Sequence, residues 1–330
     1  MEEINFREVF RENCYIPALR KLEETFSAGL TGDMERATEA FLSPLEAFLG
    51  LYLEHRDRGS VPPAGRLCLS FLRTSLCQGK PVLLAEVYET LPFLEKPVMG
   101  CELGAEWMLP GWDAFREELA ENTRQQSLGR YVRPPERGSY EAEALSVLLR
   151  QLAMAMKYML RGLEYRGLWN RLSAMEGFTV SYGEYMDWQF PLLEIKGDVD
   201  IFLCNDRTDL TFRRFRGLHY EDKQFGSREL DDCVFRECTF QKSDFTGTKL
   251  RNVRFIQCVF EDCRFAGAEL MGSSFLSGRL RGVRYQGCRL LPQAPYYAPA
   301  AFKWSLLEAV EWNETEVRDD MFVDCQQFDT

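Results

Sequence analysis

Between Leu210 and Leu290 every fifth residue is Leu, Phe or Tyr, seventeen positions in succession without an exception. A helix with a period of 3.6 would scatter such residues around its circumference, and a strand would send alternate ones to opposite faces. Only a backbone that makes the same turn every five residues keeps them on one side. Repetition at a fixed short period predicts a solenoid.

A second rule runs two residues ahead of the first. From residue 233 onward those positions are Cys233, Cys238, Ser243, Thr248, Val253, Cys258, Cys263, Ala268, Ser273, Gly278, Val283 and Cys288, all small. Residues two apart in an extended segment share a face, so each unit of five points one small and one large side chain inward and three outward. Gly247, Gly267, Gly272, Gly282 and Gly287 stand two after a large residue, where the chain must turn a corner. A longer period of twenty is superimposed: Leu210, Leu230, Leu250, Leu270 and Leu290 form one series, and Phe235, Phe255 and Phe275 another. Four units per coil would stack each series in line, with successive coils hydrogen-bonded as parallel strands ~4.8 Å apart.

At these residues the sequence resembles the pentapeptide-repeat family, whose consensus is often written A(D/N)LXX. The resemblance covers about residues 210–290 and is strongest from 233 on. It implies a right-handed quadrilateral β-helix. Cys and Arg are unusually frequent at the positions where the family has Ala and Asp or Asn. Arg213, Leu218, Lys223 and Arg228 fill small slots at the start of the series. An unpaired cation in a narrow apolar interior is costly, so the first coil is expected to be distorted or open to its neighbour.

Residues 1–195 are expected to form an all-α domain. "FREVFRENCYIPALRKLEETF" places Phe6, Val9, Phe10, Ile16, Leu19, Leu22 and Phe26 on one stripe. "GRLCLSFLRTSLC", "PVLLAEVYETLPFL" and the long stretch from Tyr140 also read as helical, separated by Gly- and Pro-rich turns. The expected architecture is therefore α+β and multidomain: a helical domain over 1–195, a short β-helix over 196–292, and an acidic C-terminal cap or tail over 293–330. Within the last segment, "AAFKWSLLEAVEW" is expected to form a capping helix.

The formal charge of -11 and the pI near 5.0 disfavour nucleic acid and anionic lipid as partners of the whole molecule. The opening "MEEINFREVFREN" has no basic stretch followed by an apolar one, and no apolar run is long enough to span a membrane, so a cytoplasmic protein with no membrane association is expected. Eleven cysteines then read as reduced thiols. Cys233, Cys238, Cys258 and Cys263 are spaced by five because the repeat is, and the sequence has no C-x₂-C pair and only two histidines, so no metal is expected. Cys238 and Cys258 are expected in adjacent coils. No G-x-S-x-G, Walker A or H-E-x-x-H motif is present, so no catalytic residue or cofactor is expected. Glu184 and Asp187, with Tyr182, Tyr185 and Trp188, could line a pocket or form a packing seam.

Charge divides unevenly along the chain. Residues 271–290 contain no acid, while Arg279, Arg281, Arg284 and Arg289 take outward slots. This basic rim is a candidate binding surface, for the acidic tail of the chain itself, for an acidic protein or, less consistently with the net charge, for nucleic acid. Val234, Ile256 and Leu276 form a second candidate, an apolar outward row expected to be covered by the helical domain, with a foreign partner as the alternative. The function expected is a non-catalytic scaffold or adaptor that binds another protein, with oligomeric state open and a homodimer among the options. Some members of the family are acidic DNA mimics that bind type II topoisomerases, which is the alternative; an enzyme housed in the helical domain is the third.

Overall fold

Two units make up the chain, residues 1–193 and 194–330, in a computed structural model that describes residues 5–76, 79–90, 92, 94–205, 208–292 and 297–328. The first is built on α-helices Phe6–Phe10 (α1), Ile16–Gly32 (α2), Met34–Asp57 (α3), Arg73–Leu76 (α4), Trp112–Gln125 (α5), Pro134–Leu160 (α6) and Trp169–Leu172 (α7). A π-helical turn, Arg11–Tyr15, joins α1 to α2. Phe10, Cys14, Ala18, Leu22, Phe26 and Leu30, each four after the last, are all buried. Phe10, Leu22 and Phe26 of that row belong to the stripe expected from the sequence, while Phe6, Val9, Ile16 and Leu19 flank it half-buried.

This unit is helical as expected, but it is not all-α. Strands Arg66–Phe71 (β1), Val82–Tyr88 (β2), Met99–Gly104 (β3), Thr179–Glu184 (β4) and Gln189–Glu194 (β5) form one sheet in the order β3-β2-β1-β4-β5. β1 runs antiparallel to β2 and parallel to β4. β1 and β2 fall inside segments whose sequences read as helical. Five of the six β1 residues are buried, so both faces of that strand are covered and the polar/apolar alternation that marks a half-exposed strand is missing.

The second unit is a four-sided β-helix. One side stacks Arg214–Arg216, Val234–Arg236, Arg254–Ile256, Ser274–Leu276, Ala301–Lys303 and Phe322–Val323; the next stacks His219–Glu221, Thr239–Gln241, Val259–Glu261, Arg279–Arg281, Leu306–Glu308 and Gln326–Phe328. Arg264–Ala266, Arg284–Gln286 and Glu311–Asn313 form the third, and single bridges Glu229↔Lys249, Lys249↔Glu269 and Glu269↔Arg289 form the fourth. All seventeen period-five residues are buried in one continuous core. Register advances by twenty per coil, Phe235 to Phe255 to Phe275.

The rod does not stop at Leu290. Ser274 pairs with Ala301, twenty-seven residues on, so a seven-residue insertion follows the fourth coil and the repeat then resumes in a new phase. The expected capping helix is instead strand: Ala301–Lys303, Leu306–Glu308 and Glu311–Asn313. The sequence carries the reason, with large Phe302, Leu307 and Trp312 each two after Ala300, Ser305 and Val310.

The first coil also differs from expectation. It is neither distorted nor splayed, because its strands pair in register with the coil above. Ile201 is fully buried and Phe202 packs edge-on to Tyr220 and Phe225, at 5.6 and 5.2 Å, plugging the open end of the bore. The large cations lie against this plug: Lys223 and Arg228 sit over the Phe202 ring at 5.3 and 5.2 Å. Arg213 donates to the carbonyls of Gly197 and Asp209, at 2.6 and 3.0 Å. With no coil beneath them, these slots do not have to be small.

Candidate functional site

The interior of the rod is closed to ligands by its own side chains. Phe215, Phe235, Phe255, Phe275, Phe302 and Phe322 stack face to face, with centroid separations of 4.7, 5.2, 4.8, 4.7 and 5.2 Å. Phe225, Phe245, Phe265, Tyr285 and Trp312 form a second column at 4.2, 4.5, 4.9 and 4.5 Å. Within a coil, neighbours such as Phe235 and Phe240 meet edge-on. Aromatic pairs favour both arrangements over an eclipsed sandwich.

The small slots have a task beyond being small. Cys233, Cys238, Cys258, Cys263 and Cys288 each donate to the backbone carbonyl oxygen twenty-three residues earlier, at 2.9, 3.6, 3.4, 3.3 and 3.1 Å. Ser243 and Ser273 do the same to Tyr220 and Leu250. These thiols therefore serve the carbonyls of large residues in the coil below, Leu210, Phe215, Phe235, Phe240 and Phe265. Burial pushes Cys233 and Cys263 up, the latter to about 12. Cys258 is raised by its hydrogen bond with Cys238 in the adjacent coil and then by burial. The raised values at Cys233, Cys258, Cys263 and Cys288 describe inert, neutral thiols; Cys238 is lowered by its hydrogen bond with Cys258.

In the first unit, the carboxylate noted at Glu184 is buried and already engaged. Arg73 Nη2 reaches both of its oxygens at 2.6 Å and also donates to Ser146 at 3.1 Å. Tyr182 packs edge-on to Trp188 at 5.9 Å. Asp187 and Tyr185 lie in the turn between β4 and β5, so this group is organised as an ion pair and a hairpin. The open concavity lined by Arg20, Glu23, Glu24, Ser27, Ala28 and Thr31 involves residues of α2 alone. Among the described residues, no helix is long and apolar enough to cross a membrane.

The four arginines of the rim separate into paired and unpaired groups. Arg279 contacts Glu308 at 3.1 Å and Arg281 the same carboxylate at 4.0 Å, while Arg289 contacts Glu269 at 3.2 Å. Glu308 comes from the acidic C-terminal stretch, which stacks on the basic coil as its next rung. Arg284 has no carboxylate in reach among the described residues. Directly beneath it in register stands Arg264, also exposed and also without one. The sequence reading missed Arg264; its signal is that it stands one coil, twenty residues, before Arg284. Val234 and Ile256 are buried and Leu276 is half-buried, so this row stacks on one side of the rod but is not an exposed apolar patch.

The repeat is also recognised by a family model. A family model described as pentapeptide repeats, in nine copies, matches residues 229–284. No curated protein matches the sequence. Among solved structures, the chain is similar to a pentapeptide repeat protein from the Arabidopsis thaliana thylakoid lumen, at 18% identity over 32% of this chain and 71% of that one, with a TM-score of 0.16. It is similar to Rfr23 from the cyanobacterium Cyanothece 51142, at 13% identity over 36% of this chain and 86% of that one, with a TM-score of 0.16. It is also similar to a trypsin-treated form of QnrB1, a plasmid-mediated fluoroquinolone resistance protein, at 15% identity over 31% of this chain and 57% of that one, with a TM-score of 0.15. With five-residue units and large side chains filling a four-sided bore, residues 229–284 of this chain are pentapeptide repeats.

Proposed function

We propose that this chain is a non-catalytic scaffold or adaptor of the cytoplasm whose β-helix binds another protein. The observation that carries the reading is the filled bore: its aromatic and leucine columns leave the rod only its outer faces with which to act. Those faces hold side chains in fixed register from coil to coil, and such preorganisation lowers the ordering cost of association. A DNA-mimic modulator of a type II topoisomerase is the less favoured reading, since a mimic needs rows of acid and this rod stacks Arg264 on Arg284.

The test has two arms. The full chain, immobilised, should retain a partner that rebinds after separate purification, saturably and with fixed stoichiometry; failure of every retained protein to rebind overturns the reading. In a gyrase supercoiling assay the full chain at micromolar concentration should neither inhibit nor protect the enzyme. A dose-dependent effect there would establish the mimic instead.

A further inference from the structure

We infer that Arg264 and Arg284 form a docking stripe for a short acidic segment of a protein partner; this rests on the scaffold reading and names the chemistry it would recognise. The two residues are Cα partners on adjacent parallel rungs of the third side, so their side chains leave the same face ~4.8 Å apart. Like charges placed directly opposite on neighbouring strands are destabilising. Other arginines on the rod have an acid on a neighbouring rung, as Arg251 has Asp231 at 2.8 Å and Arg289 has Glu269. In the other stacked arginine pair, Arg216 on Arg236, Arg216 reaches Glu237 at 3.3 Å.

Here the relief is withheld. The rung below Arg264 carries Asp244, and the rung above Arg284 carries Glu311. Asp244 Oδ1 instead accepts from the backbone N–H of Thr246, at 2.8 Å, and from its hydroxyl. Glu311 Oε2 accepts from Asn313 Nδ2 at 3.2 Å. Both acids that could neutralise the pair are turned into their own rungs, and two guanidinium groups are left facing solvent. Their neighbours on the same strands, Ala266 and Gln286, add no charge.

The flanking acids also limit what fits. A nucleic-acid backbone continuing along the column would meet Asp244 at one end and Glu311 at the other, on a molecule of net charge -11. One or two carboxylates on an extended peptide meet only the arginines, each of which offers a planar fork of donors suited to a carboxylate.

Fluorescence anisotropy with the full chain tests the stripe. The probes are a labelled hexaglutamate peptide, a hexaserine peptide and a six-nucleotide oligothymidylate, each at low and at physiological salt. The acidic peptide should bind at low salt, weaken as salt rises, and lose at least tenfold in affinity in Arg264→Glu/Arg284→Glu. The charge-matched Arg216→Glu/Arg318→Glu variant, altered at exposed arginines of the rod outside the stripe, should bind the peptide within about twofold of the unmodified chain. Single Arg264→Gln and Arg284→Gln variants, checked for unchanged melting, should each give part of the loss.

Equal losses in the two double variants would show only bulk charge and overturn the proposal, as would tighter binding of the oligonucleotide than of the peptide. Light scattering covers a second copy as the occupant: self-association abolished by Arg264→Glu/Arg284→Glu also overturns it. A partner that rebinds both the unmodified chain and this variant equally removes the stripe while leaving the scaffold reading intact.

Discussion

The thiol of Cys263 donates to the carbonyl oxygen of Phe240, 3.3 Å away and twenty-three residues earlier. Phe240 is the middle residue of the strand Thr239–Gln241, and its buried carbonyl has a second lone pair that the thiol can serve. Cys, Ser and Thr are small enough for the slot and supply that donor.

Removing the donor should therefore cost more than the lost volume suggests. Ser273 donates to the Leu250 carbonyl. That carbonyl also accepts from the Val253 N–H at 3.4 Å, so Ser273→Ala is expected to lose the net value of one hydrogen bond, about 0.5–1.5 kcal/mol, and Ser273→Cys less, because the thiol still reaches. Urea unfolding followed by far-UV circular dichroism measures both. Equal midpoints for the Ala and Cys variants would remove the donor's role.

Four of these thiols, Cys233, Cys258, Cys263 and Cys288, make stability depend on alkaline pH. Their folded values are raised above the ordinary value of 9.0, by burial foremost for Cys233, Cys263 and Cys288, and for Cys258 by its hydrogen bond with Cys238. A raised value means that the fold holds the proton more tightly than the unfolded chain does. The contribution is complete below pH 9 and is lost as pH climbs towards the folded value, about 12 for Cys263. Each such thiol removes ~1.4 kcal/mol per pH unit within that window. Urea midpoints at pH 7.5, 9.0 and 10.0 should be flat over the first step and fall over the second, with a shallower fall in Cys263→Ser.

Phe245 touches Phe225 and Phe265 above and below it, at 4.2 and 4.5 Å, and Phe240 at its edge. Phe245→Ala opens a hole that the rungs cannot collapse to fill, since their spacing is set by backbone hydrogen bonds. A loss of about 3–5 kcal/mol is expected, with Phe245→Leu losing less than half of it. Equilibrium denaturation of the two variants checks the order.

The parts of the rod legible in advance were those governed by spacing. Leu210 through Leu290 announced the bore, and the twenty-residue offset announced which ring lies on which. The continuation through Phe302, Leu307 and Trp312 was equally present, but the seven-residue insertion shifts its phase and hides it from a count kept in one frame. β1 was illegible for a different reason: "RLCLSF" is buried on both faces, and a covered strand of six residues has no period to distinguish it from a helix turn. The candidate surface was half legible. Four arginines could be placed outward from sequence, yet which of them keeps a free guanidinium depends on whether Glu308, Glu269 or Glu311 turns towards it, a matter of side-chain geometry.

The corners give the sharpest contrast between two glycines in equivalent positions. Gly267 and Gly272 both have left-handed backbones, with φ of +60° and +73°. At Gly267 an added Cβ meets nothing within 4 Å, whereas at Gly272 it would lie 2.1 Å from Asn252 Oδ1. Other corners tolerate side chains at similar angles, Asp262 at +52° and Lys242 at +48° among them. Gly267→Ala should thus cost only the conformational penalty, about 1–2 kcal/mol. Gly272→Ala must also displace the Asn252 side chain, which is buried, and should cost measurably more. Pairing Gly272→Ala with Asn252→Ala separates the two contributions: the second substitution should reduce the penalty of the first towards that seen at Gly267. If Gly272→Ala costs as much with Asn252→Ala as without it, the side-chain collision is not its cause. Thermal melts of the unmodified chain, the three single variants and the double variant at one pH read the comparison directly.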